Sequence, residues 1–446
     1  MHNSRTKKLT LLGALAISFT AIAPTCAMGY NTTAVAKFAG IHMPLSFIFG
    51  GIAILLIGFC FAIMANQTSG VGSVYSYNRL AMGEGTGFIT GWLLTLVYVV
   101  GGAGAIGMST QFIEVFLSRF GVHLAEPLIA FGLLILMYAI SLLGIKSASE
   151  ISLVIEIIAI LILAVICGAV MFHHGAQGLS LKPFEFSARN LPKIGQGIIY
   201  VVICFAGFEE ATTMTIRTSS PKRTVPFAII ATIVLVALIF IAVSYLQVVG
   251  YGTAHVNKLI QSPAPLNDLA VAYVGNGMAT LIDLATMISS VASFLGIMNA
   301  GAYMLFALGK QHYLPRQLGR FNRKFNGPFQ ALNTIAILYA IEYLLIGVPF
   351  GAKTIYTNLM AIAGLGFLIV YILVCLGMLV YSHHQRIHHL LIEGTILPVV
   401  AIVVLLFPLA SNLYPIPPLP MNLYPYIILA YIIIGVIMYR VHRRNS

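Results

Sequence analysis

Long apolar runs separated by short polar connections make up almost the whole chain. Each run reaches roughly the 20 residues that an α-helix needs to cross the hydrocarbon core of a bilayer. The connections are too short to hold a soluble domain. The pattern therefore predicts an all-α integral membrane protein with twelve transmembrane helices. The predicted helices cover approximately residues 9–31, 43–65, 84–117, 124–145, 148–170, 195–217, 225–250, 277–309, 330–347, 354–380, 391–411 and 422–440.

Two of these runs break their own helical pattern near the middle. Pro24 interrupts predicted helix one, and Gly207 stands just before the paired carboxylates Glu209 and Glu210 in predicted helix six. Proline removes an intrahelical hydrogen bond, glycine tolerates unwinding, and the freed backbone groups must face something other than lipid. Interrupted helices at corresponding positions in two halves of a membrane protein are typical of a solute-binding site near the bilayer midplane. The pattern indicates a transporter.

The order of the runs suggests an internal repeat. Predicted helices one to five and six to ten each begin with an interrupted helix, and each set has an unusually long third member, 84–117 and 277–309. Five helices per set is an odd number, so the second set enters the membrane from the opposite side and the repeats are inverted. The expected organisation is a first repeat over 1–172, an inverted repeat over 193–382, and two extra helices with a cytoplasmic tail over 383–446.

The composition supports a membrane environment. The chain is 59% hydrophobic and only 8% charged. A soluble protein of this size could not bury so many apolar side chains in its core. Of the 24 Lys and Arg residues, seventeen fall in segments on one predicted side and seven on the other. The positive-inside rule then places both termini in the cytoplasm, and we expect the cytoplasmic membrane as the location. The positive charges form no continuous stripe, so nucleic-acid binding is not expected.

The N-terminal segment and the cysteines require separate interpretations. The first apolar run resembles a signal peptide, but Pro24 would follow the cleavage site, so we expect an uncleaved first helix. The cysteines all fall within predicted helices and lack metal-ligand spacing, which predicts free thiols. They are Cys26, Cys60, Cys167, Cys204 and Cys375.

Three motifs resemble those of a known family. SGVGSVYSYNRLAMG (residues 69–83), CFAGFEEATTM (residues 204–214) and KQHYLPRQLGRFNRKFNGP (residues 310–328) are similar to segments of the amino acid–polyamine–organocation permeases. The three match in register, and the resemblance covers roughly residues 10–380. It implies the leucine-transporter-like fold, with an inverted five-helix repeat and discontinuous helices one and six.

Two departures from that family pattern concern the predicted site. Many members carry Gly-x-Gly at the break in helix one, whereas this chain has Ala-Pro-Thr-Cys over 23–26. Some proton-coupled members carry a lysine in helix five, where this chain has Ala159, with Glu156 about one turn earlier. The resemblance therefore supplies no lysine for proton coupling.

The interruptions indicate how a substrate would bind. Main-chain amides at the start of a half-helix favour a carboxylate, and carbonyls at the end of a half-helix favour an ammonium group. A zwitterionic amino acid matches both, and the alternative is a proline kink used only for packing. The expected substrate-binding residues are Ala23, Pro24, Thr25 and Cys26 on the carboxylate side, Phe205, Ala206, Gly207 and Phe208 on the ammonium side, and Tyr98 in helix three.

Five polar residues inside the predicted helices are candidates for coupling or gating. Glu156 in helix five is the candidate for carrying a proton, and its alternative role is a structural hydrogen bond. Glu209 is the candidate cavity or gating carboxylate, unless it only pairs with freed backbone donors. Ser289, Ser290 and Ser293 in helix eight could bind sodium through their hydroxyls, or could simply let helices pack closely.

The sequence contains no hydrolytic triad, nucleotide-binding fingerprint or metal-ligand cluster, so neither an enzyme nor a cofactor is expected. An ion gradient must then supply the energy. We expect an amino acid permease that works by alternating access, with proton symport as the coupling mode and sodium as the other possible ion. A polyamine or organic-cation carrier and an amino acid exchanger are the alternatives within transport, and a channel or receptor is the alternative outside it.

Overall fold

The computed structural model describes residues 11–67, 74–143, 149–208, 221–322, 325, 327–384 and 392–445. Within these residues the chain is helical and has no β-strand. The helices are α1 (Leu11–Ile22), α2 (Pro24–Ala39), α3 (Met43–Gln67), α4 (Val74–Met82), α5 (Glu84–Ser118), α6 (Glu126–Leu143), α7 (Ser149–Gly178), α8 (Leu191–Cys204), α9 (Pro221–Tyr251), α10 (Val256–Gln261), α11 (Pro265–Tyr273), α12 (Asn276–Lys310), α13 (Phe329–Glu342), α14 (Ala352–His384), α15 (Leu397–Ser411) and α16 (Tyr424–Asn445).

Many of these helices are long and apolar enough to cross a membrane. The described residues contain nine such stretches, and two further apolar helices, Glu126–Leu142 and Leu191–Cys204, are shorter. An all-helical, multi-pass membrane protein is therefore confirmed, while the number of crossings stays a prediction. The nine stretches are Ser18–Ala65, Glu84–Ser118, Glu156–Gly175, Arg223–Tyr251, Asn276–Lys310, Phe329–Phe350, Ala352–His384, Ile392–Ser411 and Met421–Arg444.

The distribution of apolar side chains fits lipid as the surrounding solvent. Large hydrophobic side chains stand on the outer surface, among them Phe172, Ile135 and Leu345, which are 92%, 67% and 67% exposed. A soluble protein rarely exposes apolar patches of this extent, but a bilayer imposes no penalty on them. Inside, the bundle is filled by aromatic side chains that are almost completely buried, such as Tyr30 and Phe208.

Helix α5 forms the centre of the bundle, with its most extensive contacts to α14 and α12. Small residues on α5 allow this close approach. A Cβ atom at Gly107 would lie only 2.5 Å from the carbonyl oxygen of Ala352, and one at Gly102 would overlap the hydroxyl of Tyr339. Without a hydrophobic driving force between helices in lipid, such close backbone packing is a principal source of association. The glycines of α5 are thus a packing surface against α13 and α14.

A buried ion pair joins one end of α5 to α12 and α11. Arg119, directly after α5, donates to the carboxylate of Asp283 in α12, and its Nη1 lies 3.3 Å from Oγ1 of Thr280. Asn267 of α11 donates to the same carboxylate. Asp283 is only 3% exposed, so its charge depends on these partners. The short helix α11 is thereby fixed to the end of the central helices.

The cysteines occupy separate positions within the bundle, and all five are free. The sulfur atoms of Cys60 in α3 and Cys375 in α14 come within 3.8 Å of each other without being bonded.

Removal of Arg119, whose side chain is only 18% exposed, should cost far more stability than removal of an exposed cation. Arg119→Gln leaves the Asp283 carboxylate buried without its cation, and such losses cost about 3–5 kcal/mol. The matched control is Arg79→Gln, which breaks the exposed pair with Glu84 (side chains 45% and 50% exposed) and should cost about 0–1 kcal/mol. Thermal unfolding of both variants in detergent checks this. Equal shifts in Tm would show that the Arg119–Asp283 pair is not a structural anchor.

Candidate functional site

The first interruption lies at Ala23, between α1 and α2. Ala23 has φ 50° and ψ 63°, the left-handed conformation, and Pro24 occupies the first position of α2. Proline suits that position because it has no N–H and its fixed φ is helical. The left-handed conformation costs a non-glycine residue roughly 1–2 kcal/mol. The helical axis therefore ends at Ile22 and restarts at Pro24, and the two halves share only Ala23 as a joint.

The second interruption follows α8, which ends at Cys204. Residues 205–208 form a turn in which Phe208 N–H donates to the carbonyl of Phe205 at 3.2 Å. Gly207 adopts φ 107°, which side chains with a Cβ rarely tolerate. Glu209, the candidate gating carboxylate, comes directly after this turn and lies outside the described residues, as does Glu210.

The two interruptions pack directly against each other. A Cβ atom at Gly207 would lie 2.8 Å from the carbonyl carbon of Ala21, so only glycine fits there. One turn away, the hydroxyl of Ser18 donates to the carbonyl oxygen of Phe208 at 3.1 Å, in a fully buried position. Residues 190 positions apart in the sequence thus form one junction inside the bundle.

A cavity of about 300 Å³ opens beside this junction. Its size is at the lower end of the range typical for small-molecule sites. Seven helices contribute to its walls: α1, α2, α5, α7, α8, α12 and α14. Of the candidate residues, those that line it are Ala23, Cys26, Tyr98, Glu156, Ala206, Gly207, Ser289 and Ser293. Those that do not line it are Pro24, Thr25, Phe205, Phe208 and Ser290.

Glu156 of α7 is the carboxylate of this cavity and is only 3% exposed. Its Oε1 accepts the main-chain N–H of Thr25 at 2.8 Å, and its Oε2 accepts the hydroxyl of Ser289 at 3.0 Å. Thr25 is the second residue of α2, where an N–H has no partner within its own helix. A negative charge at this position also interacts favourably with the helix dipole. One side chain therefore connects α7 with the broken helix and with α12.

The three serine candidates of α12 occupy different environments. Ser289 donates to Glu156, whereas the hydroxyl of Ser290 donates to the carbonyl of Met287 in its own helix at 2.8 Å. Ser293 lines the cavity one turn further along α12. The structure thus brings Ser289 and Ser293 to the cavity and turns Ser290 away from it.

A stripe on α14 also lines the cavity, although the sequence interpretation assigned no residue of this helix to it. The stripe consists of Tyr356, Met360, Ala363 and Phe367. Steps of four, three and four residues place these side chains on one face of the helix. The spacing is visible in the sequence, but an apolar stripe facing a cavity has the same pattern as one facing a packed core.

Two cavity-lining polar atoms are buried without a hydrogen-bond partner among the described residues. They are Oδ1 of Asn31 on α2 and the hydroxyl of Tyr356 on α14. Buried polar atoms are normally paired, and an unpaired one is costly. Asn31 and Tyr356 therefore add two polar positions to the lining of the cavity. With Glu156, the backbone interruptions and largely apolar walls, the cavity is suited to a small solute with a polar end and an apolar end.

Comparisons with known proteins identify the family of this chain. The family model described as "Amino acid permease" matches residues 9–438. A methylthioribose transporter of Bacillus subtilis is 27% identical, over 67% of this chain and 66% of its own length. A branched-chain amino acid permease of Lactococcus lactis is 25% identical over 85% of this chain and 82% of its own. A low-affinity putrescine importer of Escherichia coli is 22% identical over 71% of each.

The contact between the two interruptions can be tested with a pair of glycine variants. Gly207→Ala adds both a strained φ and a clash with Ala21, whereas Gly175→Ala adds a strained φ (59°) in open space. Because overpacking costs about 1–3 kcal/mol, Gly207→Ala should lose that much more stability than its control. Thermal unfolding in detergent measures the difference. If both variants lose the same stability, the two interruptions are not in close contact.

Proposed function

This chain belongs to the amino acid permease family, and from that premise we propose that it carries amino acids across the cytoplasmic membrane by alternating access, in symport with protons. Proteins of this family are transporters and not enzymes. The observation that carries the proposal is the cavity of about 300 Å³ at the junction of the two interrupted segments.

The polar ends of an amino acid fit the two interruptions. The start of α2 at Pro24 and Thr25 offers main-chain N–H groups and the positive end of a helix dipole, which suit a carboxylate. The end of α8 at Cys204 and the turn that follows it offer carbonyl oxygens and the negative end of a dipole, which suit an ammonium group. We assign Ala23–Cys26 to the carboxylate side and Phe205–Phe208 to the ammonium side.

The rest of the cavity favours an apolar substrate side chain of small or medium size. Val97, Ile203 and Phe367 supply apolar walls, and no Lys, Arg, His or Asp occurs among the described residues that line it. Tyr98 on α5 and Tyr356 on α14 would border the bound solute. A branched-chain amino acid permease among the relatives is consistent with this preference.

The proposed topology has twelve crossings with both termini in the cytoplasm. The helices α1 with α2, α3, α5, α6 and α7 form the first repeat, and α8, α9, α12, α13 and α14 form the inverted one. The third members support this pairing, because α5 and α12 are both 35 residues long and each follows a glycine at positive φ, Gly83 (90°) and Gly275 (127°). The repeats would occupy 1–172 and 193–382, with α15 and α16 in 383–446.

Coupling is assigned to Glu156. Its contacts with Thr25 and Ser289 span the broken helix and α12, the two parts that must move relative to each other in alternating access. A proton gained or lost there would change both hydrogen bonds at once. Sodium, bound by Ser289 and Ser293 hydroxyls, is the other possible coupling ion, and Glu209 is the proposed gating carboxylate.

A carrier of polyamines or organic cations is the second candidate, and an amino acid exchanger would use the same site. One observation favours the cation carrier: a carboxylate lines the cavity, while cationic side chains are absent from its described lining. Glu156 could then serve as the counter-ion of an ammonium group. One relative is a putrescine importer.

Uptake by reconstituted vesicles separates these functions. We expect an inward proton gradient to drive saturable accumulation of radiolabelled leucine, abolished by a protonophore and unaffected by a sodium gradient, since Glu156 is the proposed coupling group. Two controls are needed. Protein-free vesicles should not accumulate leucine, and an excess of putrescine of about fiftyfold should not block leucine uptake. Accumulation of putrescine in place of every amino acid tested would favour the cation carrier, and unsaturable downhill flow would indicate a channel.

A further inference from the structure

The start of α2 has unusually few main-chain donors. Pro24 has no N–H, and the N–H of Ala27 already donates to the carbonyl of Ala23 at 3.0 Å. In the first turn this leaves only the amides of Thr25 and Cys26 for an external acceptor. The amide of Thr25 is occupied by Oε1 of Glu156 at 2.8 Å. A side chain of the protein therefore holds one of the two donors that a substrate carboxylate would need.

The carboxylate of Glu156 occupies the position at the start of α2 that a substrate carboxylate would take. Its carboxylate lines the cavity, approaches the helix start from the adjacent helix α7, and is held from the other side by the Ser289 hydroxyl at 3.0 Å. Two carboxylates at one helix start repel each other and compete for the same hydrogen atoms. A substrate carboxylate can take this position only when Glu156 carries no charge or moves away.

We propose that the carboxylate of Glu156 and the carboxylate of the substrate compete for the amide of Thr25, so that a proton bound to Glu156 admits the substrate. This inference rests on the proposed function, because it concerns the carboxylate end of the same site. It explains how proton and substrate are coupled: each favours the binding of the other, and the linkage is reciprocal. The ligand class that it selects is one with a carboxylate.

Other titratable groups face the same cavity from neighbouring helices. Cys26 of α2 follows Thr25 and lines the cavity, as do Tyr98 of α5 and Tyr356 of α14. On the α12 side the facing groups are the hydroxyls of Ser289 and Ser293. In the described lining, α1 and α8 contribute no titratable side chain.

Helices α9 and α11 also pack against α7, but their titratable groups are engaged elsewhere. The hydroxyl of Tyr251 donates to Oδ2 of Asp268 at 2.6 Å, and the hydroxyl of Tyr273 lies 2.9 Å from Nε2 of His174. Tyr245 donates to the carbonyl of Ser180. Glu209 and Glu210, outside the described residues, are thus the rival proton-binding groups that an experiment must separate from Glu156.

The competition predicts a sign for the effect of pH. Binding of a carboxylate ligand should strengthen as pH falls through the range in which Glu156 gains its proton, by up to ~10-fold per pH unit. An amine that lacks a carboxylate should show the opposite trend, because its ammonium group gains from an ionised Glu156. The direction in which affinity changes with pH therefore shows whether the carboxylate or the ammonium group of a ligand lies next to Glu156.

Three ligands of matched shape test this on the purified protein in nanodiscs: L-leucine, 4-methylpentanoate, which lacks the amino group, and 3-methylbutylamine, which lacks the carboxylate. Affinities are measured by calorimetry between acidic and neutral pH. On acidification the affinity should rise for leucine and 4-methylpentanoate and should not rise for 3-methylbutylamine. In Glu156→Gln the carboxylate ligands should bind with an affinity that does not change with pH. Glu342→Gln, a carboxylate of α13 outside the cavity, is the control and should keep the wild-type trend, and Glu209→Gln tests the rival proton-binding group.

Persistence of the pH trend in Glu156→Gln, or its loss only in Glu209→Gln, would overturn the inference while leaving the permease function intact. Failure of all three ligands to bind would instead contradict the proposed substrate class. A measurement without ligand then decides the competition itself: in ¹⁵N-threonine-labelled protein, the amide resonance of Thr25 should shift with pH in the wild type and not in Glu156→Gln. A Thr25 resonance that is insensitive to pH in both would refute the inference.

Discussion

A main-chain amide that has lost its helical partner cannot stay unpaired inside a membrane, and the site is organised around one such amide, that of Thr25. Pro24 restarts the helix after Ala23, which leaves the first N–H groups of α2 without intrahelical acceptors. The bilayer core offers no water to satisfy them, so these groups must face another protein group or a polar cavity. Glu156 meets this requirement from α7, and its two buried oxygens are satisfied in turn by Thr25 and Ser289. The break, the carboxylate and the hydroxyl are thus mutually dependent.

The second interruption supports the first through direct contact. Ala23 and Gly207 both have positive φ, and for a residue with a Cβ, such as Ala23, this conformation persists only where the surrounding structure enforces it. Here the enforcement comes from close packing of Gly207 on Ala21 and from the hydrogen bond between Ser18 and Phe208. The strained residue Ala23 lies at the end of α1, and it also lines the cavity. Such an arrangement lowers the stability of the helix and in return leaves polar backbone groups beside the cavity.

Much of this architecture could be predicted from the sequence, because its signals are local. Apolar run length and the positions of Pro24 and Gly207 indicate where helices cross and where they stop. The partners of Glu156 could not be predicted, since hydropathy places the residue inside a helix but does not state which helix it faces. For the same reason the hydrogen bond from Ser289 to Glu156 could not be predicted, and sodium binding by Ser289 stays a prediction. The cavity-lining stripe of α14 from Tyr356 to Phe367 was missed for a related reason. Hydropathy distinguishes water-exposed positions from all others, but it does not tell whether an apolar side chain faces lipid, the packed core or a cavity.

The central claim is that the two interruptions form a single solute site, and a cryo-electron microscopy structure at acidic pH with saturating leucine tests it most directly. The account predicts leucine density between the start of α2 and the end of α8, with its carboxylate within hydrogen-bond distance of the Thr25 amide and Glu156 displaced from that amide. Leucine bound elsewhere in the bundle, with the Thr25–Glu156 hydrogen bond intact, would contradict the account.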